Sequence, residues 1–276
     1  MKFGFALPYS IARQVADTAY IAEKAGWDGL FIGDAIWCSD PMVALAAAAM
    51  VTHTIRLGLM VIPAPIRVPW KVASESLSVD HLSNGRLTLG LATGATWMGW
   101  QSFPDEVTDT KARAEMLGEM IDLLTLLYKS KQFDYIGKHY RVLLTRTDEQ
   151  HYPPKPIQQP RIPLWVTGVW PRKTSMKRAM KGDGLIPHKI NNEGKLVEVT
   201  PADLREMKAY VEDQRGLDTP FDYIVEGQIL GLEPSQIQEK LGAWQAAGGT
   251  WFIESTYGLS YEQIQERIQQ GPPKMG

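Results

Sequence analysis

The sequence predicts a closed (β/α)₈ barrel, and three observations lead to it. Short apolar runs alternate with longer stretches of helical period, and the alternation repeats eight times. The length of 276 residues suits eight strand–helix units, which take about 250 residues. The first run ends Leu7-Pro8-Tyr9-Ser10, without the glycine fingerprint that follows strand one of an open dinucleotide-binding sheet.

Each element has its own local reason. The eight apolar runs are 2–7, 27–33, 55–61, 86–92, 162–167, 183–187, 221–229 and 250–255. They are short and rich in Ile, Val, Leu and Phe, as strands covered on both faces are. The helical stretches are 12–25, 41–51, 70–82, 112–128, 172–180, 201–214, 235–247 and 261–269. Thr200-Pro201 and Glu233-Pro234 read as helix starts with proline in the first turn, and Gly26, Gly85 and Gly248-Gly249 fall where helices should stop. Asp80 and Arg86 flank the turn at Ser83-Asn84-Gly85 and are expected to pair. One interval is too long for a simple connection: between strands four and five, residues 93–160 hold a loop, the fourth helix, a hairpin around Gly137 and a proline-rich run. Such an enlarged insertion on a barrel belongs over the active face. The whole of 1–276 reads as one domain.

Composition excludes several classes. With 29 Lys+Arg against 31 Asp+Glu and no basic run, the chain lacks the electrostatic footprint of a nucleic-acid binder. One cysteine, Cys38, allows no internal disulfide and fits a reducing cytoplasm. No apolar run approaches a membrane span, and the first residues lack a signal peptide's pattern, so a cytoplasmic protein with no membrane partner is expected.

Barrel enzymes place working residues where strands end. That rule nominates Tyr9 after strand one, Asp34 after strand two, Val61 after strand three and Thr93-Gly94 after strand four. It nominates Gly168, Val169 and Trp170 after strand five, His188 and Lys189 after strand six, and Glu254 and Ser255 after strand eight. Asp34 either faces the pocket or caps a helix. Cys38 is either a pocket thiol or a small buried hydrophobe. Phosphate loops, nucleophile elbows and His-x-x-x-His pairs are missing, and no metal is expected. Few acid–base candidates among many glycines and aromatics suggest a flat cofactor carrying the chemistry.

The stretch Leu57-Gly58-Leu59-Met60-Val61-Ile62-Pro63, then Asp80-His81-Leu82-Ser83-Asn84-Gly85-Arg86 and Thr93-Gly94, resembles the bacterial luciferase-like monooxygenase family of flavin- and F420-dependent oxidoreductases. The likeness continues through Phe133-Asp134-Tyr135, Gly137-Lys138-His139-Tyr140-Arg141 and Pro163-Leu164-Trp165-Val166. The resemblance implies a ring at the strand ends, touched by Asp34, Met60, Val61, Thr93 and Gly94, with a phosphate near Gly168, Val169, His188 and Lys189. It also implies a cis peptide at Met60–Val61 and a homodimer, for which the alanine-rich helix 41–51 is the candidate interface. Gly94→Trp is expected to abolish cofactor binding with little loss of folding.

Two positions depart from the family pattern. Ala35 stands where many relatives have His after the strand-two Asp, and Ala95 where F420-dependent sugar-phosphate dehydrogenases have Glu. Cys38 falls where the alkanesulfonate monooxygenase branch has a pocket cysteine. The leading expectation is a monooxygenase using O₂ and reduced FMN from a separate reductase, acting on a small organic substrate. Tyr9, Trp37, Trp97, Met98, Trp100 and Trp170 would wall its pocket. An F420-dependent hydride-transfer enzyme and a flavin-binding barrel without chemistry remain the alternatives.

Overall fold

The computed structural model describes residues 1–8, 10–35, 38–95, 102, 107–144, 154–216 and 218–274. Eight parallel strands form the barrel: β1 (Lys2–Leu7), β2 (Gly29–Ile32), β3 (Arg56–Pro63), β4 (Leu87–Ala92), β7 (Leu164–Trp170), β8 (Gly184–Ile190), β10 (Asp222–Gly227) and β11 (Trp251–Ser255). They run in the order β10-β11-β1-β2-β3-β4-β7-β8, and pairing of β10 with β8 closes the ring. A short antiparallel hairpin, β5 (Asp134–Ile136) and β6 (Arg141–Leu143), lies in the insertion, and β9 (Leu196–Val197) folds back on β8.

Helices α1 (Ala12–Ala25), α2 (Pro41–Val51), α3 (Pro69–Leu82), α4 (Thr110–Leu127), α5 (Lys173–Ala179), α6 (Pro201–Arg215), α7 (Pro234–Ala246) and α8 (Tyr261–Gln269) fall between or after the strands. Their ends obey local chemistry. Asp40 caps α2 by accepting from the backbone N–H groups of Met42 and Val43, at 2.9 and 3.2 Å. Thr200 and Asp203 form a reciprocal capping box on α6. Gly26 closes α1 at φ +88°, where a side chain would be strained.

Strand alternation divides the apolar residues into two cores. Leu57, Leu59, Leu87, Leu89, Leu91, Leu164 and Val166 point outward into the helices. Ala6, Phe31, Trp165, Ile186, Ile224, Trp251 and Ile253 fill the barrel, with Met60 and Val61 against them. Glu254 faces outward as well: Arg267 of α8 grips its carboxylate at 2.8 and 2.7 Å, both side chains buried. The nominated strand-eight acid therefore anchors α8.

The expected Asp80–Arg86 pair does not form. Asp80 accepts from the backbone N–H of Ile157 at 2.7 Å and from the Gln158 amide at 2.8 Å, tying α3 to the segment before β7. Arg86 instead donates to the carbonyls of Ala49, Thr52, Ile55 and Ser83. Each ion closes a gap between elements that sequence proximity does not reveal. Likewise, one carboxylate oxygen of Glu23 accepts from the N–H groups of His53, Thr54 and Ile55 at 2.8, 2.6 and 3.0 Å, fixing the entry to β3.

Candidate active site

The barrel mouth stands on an aromatic floor. Phe31 stacks on Trp165 with centroids 5.1 Å apart, and Trp251 meets both edge-on at 5.7 and 5.4 Å. Above it, β3 bulges. Leu59 pairs with Leu89 and Ile62 with Leu91, so Met60 and Val61 together oppose Gly90. The Met60–Val61 bond is cis, as the resemblance implies. Gly90 is required here, because a Cβ would sit 2.4 Å from the Leu59 carbonyl oxygen.

The rim from β1 to β4 is small and open. Ala6, Gly33 and Ala92 end the inward faces of their strands, and a Cβ at Gly33 would meet nothing closer than 3.8 Å. Gly94 has φ +77°, and a Cβ there would lie 2.7 Å from both Pro63 and the Arg113 guanidinium. The expectation that tryptophan at 94 spares folding is corrected by that geometry. Thr93 offers its carbonyl to Arg113 Nε at 2.8 Å.

Asp34 is buried, and both its oxygens accept from Arg67, Nε and Nη2 each at 2.8 Å. Arg67 reaches on to Asp40 at 3.2 Å. Asp34 thus braces the turn leaving β3, while Asp40 is the helix cap. Cys38 borders a cavity of about 20 Å³ on the helix side of β1 and β2, with Leu7, Val15, Ile32 and Ala44. Burial and the Asp34 charge push its thiol up, so it stays protonated at neutral pH.

On β7 and β8 the register brings Val169 beside His188 and Trp170 beside Lys189. The Val169 N–H donates to Ser175 Oγ at 3.0 Å. The missing Cβ of Gly168 points at α5, where it would come 2.4 Å from Leu185 and 3.0 Å from Met176 Sδ. Lys189 pairs with Asp203 at 2.6 Å on the outer side of the barrel. Trp170 also turns outward, its ring 5.6 Å from that of Tyr210 on α6. His188 shares the inward face of Ile186, and burial lowers its pKa, holding the imidazole neutral. Tyr9, Trp37, Trp97, Met98 and Trp100 lie outside the described residues.

Sequence reasoning missed two charged groups. Arg67 lies in a connection, and a seventh apolar run taken as 221–229 hides Glu226, because β10 ends at Gly227. Glu226 shares the inward face of Ile224 and is hydrogen-bonded by the Ser255 side chain. The alternation Asp222, Ile224, Glu226 was the available signal. Among the described residues no three His, Cys, Asp or Glu side chains gather as a metal site.

The family model described as luciferase-like monooxygenase matches residues 1–266. The chain belongs to that family. Among its relatives, a putative coenzyme F420-dependent oxidoreductase of Mycobacterium tuberculosis is 32% identical over 68% of this chain and 55% of its own. The oxygenase component of a flavin-dependent trigonelline monooxygenase from Acinetobacter baylyi is 28% identical over 55% of this chain and 42% of its own. The chain thus spans about half the length of these curated relatives. The structure of a coenzyme F420-dependent tetrahydromethanopterin reductase from Methanopyrus kandleri superposes with a TM-score of 0.74 over 98% of both chains, at 16% identity. That likeness shows the fold.

The mouth of this luciferase-like barrel fits a planar ring by its own shape. Its floor is aromatic, its β1–β4 wall ends in Ala6, Gly33 and Ala92 beside the Met60–Val61 bulge, and its β7–β11 wall carries Thr167, His188, Glu226 and Ser255. No helix among the described residues is long and apolar enough to cross a membrane.

Proposed function

We propose that this luciferase-like oxidoreductase works as one barrel unit and binds a flavin-type ring across its mouth, against the Met60–Val61 bulge. The carrying observation is that bulge, set over an aromatic floor and faced by residues too small to obstruct a ring. Met60, Val61, Thr93 and Gly94 would touch the ring, and Asp34 would act through Arg67 by holding the turn that follows β3. Val169 and His188 would lie toward the phosphate, where Arg172 at the start of α5 adds positive charge. Lys189 would have to share its ammonium with Asp203.

When bound, the ring supplies two-electron chemistry, and the protein supplies orientation and exclusion of water. The first reading is reduced FMN with O₂ and a separate reductase, in keeping with the oxygenase-component relative. The second is F420, in keeping with the relative at 32% identity. Titrating the apo-protein with FMN and with F420, each oxidised and reduced, separates them. Tighter binding of reduced FMN supports the first and of F420 the second. Binding without turnover would mark a barrel that has lost chemistry, and failure of both rings to bind would end the reading.

We also read α2 as a homodimer interface. Val43, Met50 and Val51 are exposed on it, and its apolar residues surround the helix rather than forming one stripe. Val43→Glu with Met50→Glu should then convert a dimeric mass in light scattering to a monomeric one. A monomeric wild type would refute it.

A further inference from the structure

Above their two paired residues, β8 and β10 separate, and a cavity of about 450 Å³ opens between them. His188 and Glu226 border it, and the ladder Asp222↔Gly184, Tyr223↔Leu185, carried upward, sets the two opposite one another. Leu196, Val197 and Val199 form its apolar lip. Glu226 is reached by solvent along this cavity, while Ser255 on β11 holds its carboxylate from the other side.

We propose that Glu226, held by Ser255 and facing His188, is the proton-exchanging group for the organic substrate, which is a small neutral carbonyl or hydroxyl compound with an apolar body. The inference rests on the functional reading above and deepens it. Ala35 and Ala95 bring no proton-carrying side chain to the rim.

The surroundings set the chemistry. Crowding by protein raises the Glu226 carboxyl above the ordinary carboxylate range, and the Ser255 hydrogen bond partly opposes that rise. The other titratable groups facing the cavity are His188 on β8, Glu198 after β9, and Lys240 on α7. His188 is held neutral by burial, and Lys240 donates to the Gln228 carbonyl at 2.9 Å. Placed between Ser255 and the cavity, the Glu226 carboxyl can pass a proton to a substrate oxygen. The Glu226 O–H bond breaks, a substrate O–H bond forms, and the carboxylate keeps the electron pair under the Ser255 hydroxyl. In the reverse direction the carboxylate takes the proton back. A second carboxylate, Glu198, on the same cavity disfavours an anionic substrate, and the apolar lip takes the substrate's hydrocarbon part.

Three measurements on the full chain test the proposal. Infrared difference titration should show a protonated carboxyl band persisting above the range of ordinary carboxylates, absent in Glu226→Gln and persisting to still higher pH in Ser255→Ala. Dicyclohexylcarbodiimide, which modifies protonated carboxyls, should label Glu226 up to a higher pH than it labels the chain's other exposed carboxyls, and Glu226→Gln should lose the label. Cyclohexanone at millimolar concentration should slow that labelling saturably. An unchanged band in Glu226→Gln, labelling elsewhere in its place, or indifference to cyclohexanone overturns the proposal. FMN and F420 binding, measured separately, reports whether the ring-binding reading itself has failed.

Discussion

Removing the Asp34 carboxylate separates two roles for the residue that its sequence position alone leaves open. In the structure both oxygens are spent on Arg67, with Asp34 almost wholly buried and the Arg67 side chain 25% exposed. Breaking a fully buried ion pair costs about 3–5 kcal/mol. Here Arg67 keeps a second carboxylate, Asp40, and can turn toward water, which brings the expectation for Asp34→Ala down to about 2 kcal/mol. For a chain of this size that is a fall of about 4–8 °C in Tm. The assay is a thermal and urea double-mutant cycle of Asp34→Ala, Arg67→Ala and the double variant. A pair acting as one unit makes the double variant cost little more than either single one, with a coupling of about 2 kcal/mol. The same variants, titrated with the ring that binds, should lose affinity equally if Asp34 acts through Arg67. Strictly additive stabilities would refute the pairing. A larger affinity loss for Asp34→Ala than for Arg67→Ala would show that Asp34 touches the ring itself.

Three further outcomes follow from particular contacts. Gly94→Ala should destabilise by about 1–3 kcal/mol in urea unfolding, because alanine must take a left-handed φ against Pro63 and Arg113, and an unchanged midpoint would count against that crowding. Cys38 should react with iodoacetamide at pH 8 more slowly than a free thiol, and Asp34→Asn should speed it by removing the charge that helps push the thiol up; equal rates would deny that influence. Glu23 is held down to about 2 although burial opposes this, because three backbone N–H groups outweigh it. Its folded value lies below the ordinary 4.5, so its contribution is complete above pH 4.5 and fades as the pH falls toward 2. Glu23→Gln should therefore flatten the loss of stability across that window, and parallel acid unfolding curves would exclude it.

The barrel was legible because its strands are buried on both sides and announce themselves as apolar runs. Helices α1, α2 and α8 match their expected bounds, since capping and stop signals are local. Strand β7 is displaced: the apolar run begins at Ile162, but the strand starts at Leu164, which pairs with Leu89 of β4, and Trp165 through Trp170 pair one residue at a time against β8. That extension depends on a partner strand, which no local pattern encodes. The site divides in the same way. The bulge came through a motif, and Gly90 explains it afterward by a distance. Arg67 and Glu226 were missed because one earns its place by reaching another element, and the other by a parity that a two-residue error in strand length conceals.

The uneven closure of the ring bears on how this enzyme could change. Strands β7 and β8 pair through six residues, from Trp165↔Gly184 to Trp170↔Lys189, whereas β8 and β10 pair through two. The short seam carries the cavity, and the arm at β9 forms its edge without belonging to the barrel's inner core. Leu196, Val197, Glu198 and Val199 line that cavity, and none of them belongs to the aromatic floor or to the bulge of β3. On the proposal above, substrate range would vary at the join that the ring closes most lightly, the two-residue seam of β8 and β10.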